Sequence, residues 1–239
     1  MRQGLFFIVF SLTALPGYAQ VSMADTSFLN NARTYVLKRY EKDINGQSRI
    51  NNGSQYKDYF SRNDEHPYFG IDDWVDGDIS YDDEVYRNVP MFYDISKDKV
   101  ISEHALNGSK LELINEKIKW FSLGEHRFRR IFENESDVIS PGFVEILYDG
   151  TTKVYARREK HLDEKVEPTG VIASFDERTR LYIKKGDTYY AVRKKKSVLD
   201  VFEDKKSELK TFLNKRKVTF NKDRENAIIQ MAEFYDAQK

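Results

Sequence analysis

The sequence predicts a mainly antiparallel β fold of the α+β class, a meander or curved sheet closing part-way into a barrel, flanked by an N-terminal helix and C-terminal helices. Three observations carry that expectation. Turn dipeptides recur about every ten residues between 74 and 193, the rhythm of an antiparallel meander. The stretch GFVEILYDGTTKVYARREK, residues 142–160, reads as a hairpin about Asp149-Gly150. Its first strand sends Phe143, Glu145 and Leu147 one way and Val144, Ile146 and Tyr148 the other, so both faces are largely apolar and the hairpin belongs inside the sheet. From Ser197 onward the apolar spacing changes from two to the helical repeat.

The chain opens with Arg2, an apolar run from Leu5 to Leu15, and the small residues Gly17-Tyr18-Ala19. That is the order of a signal peptide cut after Ala19, and the apolar run is too short for a bilayer core of about 30 Å. Periplasmic or secreted localisation is the expectation, with no transmembrane segment once the signal is removed. No cysteine occurs, so neither a disulfide framework nor a thiolate metal site is available. Fifteen Tyr and sixteen Phe can instead fill an ordinary core. Charge is unevenly placed. Residues 60–98 hold eleven acidic and three basic side chains, and residues 153–222 hold twenty basic and eleven acidic. Two halves that neutralise one another within the molecule are the expected explanation, ahead of a charged binding face.

Residues 20–69 read as an N-terminal helix followed by an irregular arm. Phe28, Leu29, Ala32, Val36 and Tyr40 keep near-helical spacing within 27–42, with Thr26 or Ser27 as the cap. Asn45-Gly46 and Asn51-Asn52-Gly53 break the chain, and Pro67 holds His66 extended. The β core is expected over 70–196. Strands are placed at 78–81, 85–95, 99–105, 110–114, 117–123 and 126–132, then in the central hairpin, near 172–184 and at 188–193. Turns fall at Asp82-Asp83, Lys97-Asp98, Asn107-Gly108, Gly124-Glu125 and 185–187, and a charged loop is expected at 161–170. The tail, 197–239, reads as helices packed on the core. Ser197 suits a loose capping arrangement, Leu209, Phe212 and Leu213 form one stripe, and Asn221 caps a last helix carrying Ile228, Met231, Ala232 and Tyr235.

Several of these residues together resemble a known family. The set is Asn52-Gly53-x-x-Tyr56, His66-Pro67-Tyr68-Phe69, Trp74-x-x-Gly77-x-Ile79-x-Tyr81, Tyr86-x-Asn88-Val89 with Tyr93-Asp94, Pro141-Gly142-Phe143 through Leu147-Tyr148-Asp149-Gly150, and the Lys-rich tail ending Phe234-Tyr235-Asp236. It is similar to a family of exported proteins from Bacteroidota-type bacteria with no known activity. The resemblance spans nearly all of the chain after the signal. It implies export and a shared fold, and it transfers no catalytic or binding residue. One departure is Tyr81-Asp82-Asp83, where the family has Tyr-Asp-Gly.

No chemical signature is written locally. His66, His104, His126 and His161 have no zinc-site spacing. Asp72, Asp73, Asp76 and Asp78 crowd oxygen ligands around Gly77 without the spacing of a calcium loop, so a solvated acidic rim is expected and no metal or other cofactor. Arg193-Lys194-Lys195-Lys196 can meet an anionic glycan, lipid headgroup or nucleic acid, although export disfavours nucleic acid as a partner. Candidate binding residues are Tyr56, His66, Tyr68, Phe69 and Trp74, and no catalytic residue is named. The leading functional expectation is a non-enzymatic envelope protein that binds or assembles an envelope partner. A periplasmic carrier enclosing an apolar small molecule in a barrel-like cavity comes second, and a hydrolase third.

Overall fold

The structure, a computed structural model, describes residues 31–33, 35, 49–58, 65–167, 170–217 and 219–238. The expected signal peptide lies outside them, as does most of the expected helix at 27–42. The chain divides into two units, Met1–Glu41 and Lys42–Lys239. In the first, residues 31–33 and 35 are helical.

The second unit is built on one eleven-stranded antiparallel sheet. Its strands are β1 (Ser54–Gln55), β2 (Val75–Tyr81), β3 (Glu84–Asp94), β4 (Lys99–Glu103), β5 (Lys110–Glu112), β6 (Ile118–Leu123), β7 (His126–Ile131), β8 (Gly142–Asp149), β9 (Lys153–Glu167), β10 (Gly170–Lys185) and β11 (Thr188–Val192). Strands β2 to β5 step to one edge, where β1 joins β5. The chain then returns through a 3-10 turn at Asn115–Lys117, so that β6 pairs with the free side of β2. From there β6 to β11 step to the other edge. The sheet is open, and it curls.

Alternation along the strands distributes side chains to two faces. On one face Met91, Tyr93, Val100, Ile118, Phe121, Phe128 and Phe143 form the first core. Its hollow is filled by rings: Phe121 stacks on Phe128 at 4.8 Å, and Tyr93 and Phe143 meet Phe121 edge-on, each at 5.2 Å. Val144, one residue beyond Phe143, faces the other way and packs with Tyr155, Tyr182 and Tyr189. The curl is stitched by the β3–β4 turn. Asp98 there accepts the Tyr93 hydroxyl at 2.6 Å and the Phe143 N–H at 3.3 Å, and it pairs with Arg157. Gly142, at φ 137°, allows this approach, since a Cβ would run into both the Asp98 carboxylate and the Arg157 guanidinium.

Helices α1 (Lys195–Val201), α2 (Lys206–Lys215) and α3 (Arg224–Asp236) lie on β8–β11 and close a second core. Val154, Ala156, Leu181, Ile183 and Val192 come from the strands, and Leu199, Phe202, Leu209, Leu213, Ile228 and Met231 from the tail. Asp236 fixes the last helix to the β8–β9 loop by accepting the Thr152 N–H at 2.8 Å, the Thr152 hydroxyl and the Tyr148 hydroxyl at 3.2 Å.

Four sequence expectations need correction. The charged loop at 161–170 is the tip of a long hairpin, β9 running to Glu167 and β10 starting at Gly170. Exposed strands carry no apolar alternation, so charge masked the signal. The central hairpin closes through residues 150–152 and not through a two-residue Asp149-Gly150 turn, because Asp236 shapes that loop. Asp82 and Asp83, at φ 52° and 68°, form the tight two-residue turn instead. The helix caps shift as well. Ser197 lies inside α1, accepting the Arg193 and Lys194 N–H groups, and Asp223 caps α3 in place of Asn221 by accepting the Asn226 N–H at 3.1 Å.

Candidate functional site

Residues 65–69 run antiparallel to the end of β3. Phe69 donates its N–H to the Tyr93 carbonyl at 2.8 Å, and Pro67 accepts that of Ile95 at 3.0 Å. This arm turns Tyr68 onto the outer face of β3 and β4, where Tyr56 and Trp74 also pack on Phe92 and Ile101. His66 stacks on Tyr68 at 5.9 Å. Four of the five expected binding residues therefore gather. The fifth, Phe69, faces the opposite side and meets His126 at 4.8 Å and Phe128 at 5.1 Å.

The tyrosine hydroxyls of this aromatic cluster are taken up by the fold, whereas His66 Nδ1 is buried with no hydrogen-bond partner. Tyr56 donates to buried Asp94 at 2.8 Å, and Asp94 also accepts the N–H groups of Ser96 and Lys97. Burial pushes the Asp94 carboxyl above its ordinary pKa, against the pull of those donors, and pushes the Tyr56 hydroxyl up as well. Tyr68 donates to Asp58 at 2.8 Å, with Lys110 reaching both. Lys160 on β9 donates to the carbonyls of His66 and Tyr68 at 2.8 and 2.9 Å. Tyr56 and Tyr68 are buried, and their geometry is that of a clasp holding the arm across the curled sheet.

A charged seam separates the two cores on the inner face. Glu145 on β8, 4% exposed, accepts from His126 at 2.5 Å and from Arg158 at 2.7 Å. Arg158 on β9 also holds Glu225 of α3 through two bonds of 2.7 and 2.8 Å. Burial opposes the Arg158 charge, yet Glu225 and Glu145 hold its pKa above the usual value.

One feature open to a ligand lies at the far edge. Strand β11 covers only residues 181–185 of β10. Where it ends, a cleft of about 670 Å3 opens beside β10, lined by Arg178, Thr179, Arg180, Arg193 and Arg224. A second recess of about 450 Å3 shares Arg193 and Arg224 and reaches Lys222 at the start of α3. Arg178 and Arg180, two apart on a strand, share a face. Arg178 pairs with Asp176 at 2.9 Å and Arg180 with Glu159 at 3.3 Å, in pairs whose arginines are solvent-facing. Arg193 and Arg224 make no ion pair among the described residues, and Arg224 Nε is buried with no hydrogen-bond partner. The basic segment is matched to carboxylates only in part, as through Lys185–Asp204 and Lys206–Asp200 within it and through Arg158, which pairs with Glu145 and Glu225 outside it. Between the basic and acidic segments the described residues show one ion pair, Arg157–Asp98, and Lys160 lies in the field of Glu65, Asp72 and Asp94.

The sequence pointed to Arg193 through its basic run and missed Arg178, Arg180 and Arg224. The x-Arg-x-Arg alternation of the first pair was legible, whereas Arg224 arrives only through the fold. Lys195 and Lys196 of the same run leave the cleft and line another recess with Lys206 and Lys210. In the acidic segment, Asp73 accepts the Trp74 N–H at 2.8 Å and Asp78 that of Asn88 at 3.1 Å. Among the described residues no group of His, Asp and Glu is arranged to hold a metal ion. No protein-family model, curated protein or solved structure matches this chain.

Proposed function

We propose that this is an exported, non-enzymatic binding protein of the cell envelope whose working surface is the arginine-lined cleft beside β10. The observation that carries the reading is the pair Arg193 and Arg224, which make no ion pair among the described residues in a cleft of about 670 Å3 whose other arginines, Arg178 and Arg180, are matched to carboxylates. Cations held without partners favour an anionic ligand, both by attraction and by satisfying buried donors. Export rests on the signal-like residues 1–19 and on the resemblance to exported Bacteroidota-type proteins. No helix among the described residues is long and apolar enough to cross a membrane. The carrier reading has less support, since aromatic rings fill the hollow of the curled sheet.

The test is a titration of the full chain with an oligoglutamate peptide and with a sulfated oligosaccharide. Binding to at least one is expected, and it should fall steeply in about 0.5 M salt, where screening shortens to a few ångströms. Arg193→Gln and Arg224→Gln should each weaken it about tenfold, equivalent to about 1.4 kcal/mol. Arg87→Gln, which removes the same charge from exposed β3, should leave it unchanged. Equal losses in all three variants would reduce the effect to net charge and sink the assignment.

A further inference from the structure

Resting on that reading, we propose that the cleft takes an acidic, extended segment of a partner protein, which adds as a strand to the uncovered edge of β10. Strand β10 is paired with β9 from Gly170 to Lys184, but β11 lies along its other side only from Leu181 to Lys185. Among the described residues no strand pairs with that second edge from residue 180 backward. The Phe175 N–H shows which main-chain groups face it, because it is taken there by the Glu65 carboxylate at 2.7 Å and not by β9. Alternation along a strand then turns the N–H and C=O of Glu177 and Thr179 to the same side as Phe175, Leu181 and Ile183. Leu181 and Ile183 face their partners Val192 and Tyr190 in β11. Among the described residues nothing bonds to the main chain of Glu177 or Thr179 on that edge.

An open edge accepts another strand unless its side chains forbid it. Here the side chains select the sign of the guest. Arg178 and Arg180 project from one face, Arg224 stands at the start of α3, and Arg193 closes the end of the groove where β11 leaves. A strand with carboxylates at alternate positions would meet the arginines with its side chains while its main chain meets Glu177 and Thr179. The two-residue repeat of edge donors and acceptors matches a peptide backbone, which a glycan or lipid headgroup lacks. Glu65 already shows in miniature that a carboxylate binds this edge.

The experiment uses the full chain and three kinds of probe: an alternating Glu-Val octapeptide, the same peptide N-methylated at every second amide in each of the two registers, and a sulfated oligosaccharide. The proposal expects the first peptide to bind and to slow amide exchange at Glu177 and Thr179 about tenfold or more. It expects N-methylation, in whichever register removes the ladder, to weaken binding at least about tenfold with the charge unchanged. Equal binding of the methylated peptides, or no protection at Glu177 and Thr179, overturns strand addition while leaving an anion-binding cleft. Binding of the oligosaccharide alone does the same. Failure of all three probes overturns the cleft reading itself.

Discussion

A chain ending at Arg193, just after β11, aggregates or loses its cooperative melting transition. Removing α1, α2 and α3 bares the strand face formed by Val154, Ala156, Leu181, Ile183 and Val192. It also deletes Leu199, Phe202, Leu209, Leu213, Ile228 and Met231, all buried against that face or one another. Fully burying one such side chain contributes roughly 1.5–3 kcal/mol, so the six together reach about 10 kcal/mol before ordering costs. That is comparable with the roughly 5–15 kcal/mol that holds a whole domain. Asp236→Ala is the graded version. It leaves the apolar contacts and removes the acceptor for Thr152 and Tyr148, for a loss of about 1–3 kcal/mol with the fold retained. Calorimetry and light scattering on both proteins check this. A truncated chain that stays soluble and monomeric with an unchanged melting temperature would contradict it.

Replacing Arg158 has one of the largest effects expected of a single substitution. Arg158→Met leaves the Glu145 carboxylate buried with only the half-exposed His126 to answer it, and it frees Glu225 from β9. Breaking a buried pair from one side costs about 3–5 kcal/mol. Arg158→Lys should recover little, because an ammonium cannot reproduce the two-pronged contact with Glu225 while also reaching Glu145. The double variant Arg158→Met with Glu145→Leu should regain most of the loss, since no unpaired charge is then left inside. Urea unfolding of the three proteins measures it. A double variant no better than Arg158→Met alone would mean that shape, not charge compensation, governs the seam.

The sequence was most readable where apolar alternation is local. Phe143 to Tyr148 announced a two-faced interior strand, and the structure sends Phe143 and Val144 to different clusters. The helical stripe of the tail was equally plain, and Leu209, Leu213, Ile228, Met231 and Tyr235 are all buried. Where no apolar face existed, the pattern failed. Residues 161–166 of β9 are largely exposed, so this part of the strand looks like a charged loop. Long-range partners were beyond local reading too. Nothing near Asp236 in sequence shows that it fixes a loop eighty-four residues away, which in turn replaces the expected two-residue turn. Tyr56, Tyr68 and Trp74 are candidate binding residues by sequence, and it is their packing on Phe92 that makes them a clasp. The cleft combines residues from β10, the end of β11 and the start of α3, and only the curl and the tail bring these together.

Two basic surfaces of similar size compete for an anionic partner, and this makes one measurement decisive. The first is the cleft with Arg193 and Arg224, and the second is the recess lined by Lys195, Lys196, Lys206 and Lys210. The lysines are individually more mobile and better hydrated, and Lys206 is already paired with Asp200. Backbone amide shifts of isotopically labelled full chain, followed during addition of oligoglutamate, separate the two. The shifts should concentrate at Thr179, Arg180, Arg193 and Arg224 and saturate together. Shifts centred on Lys195, Lys206 and Lys210, with Arg193 and Arg224 unmoved, would contradict the assignment of the cleft as the working surface.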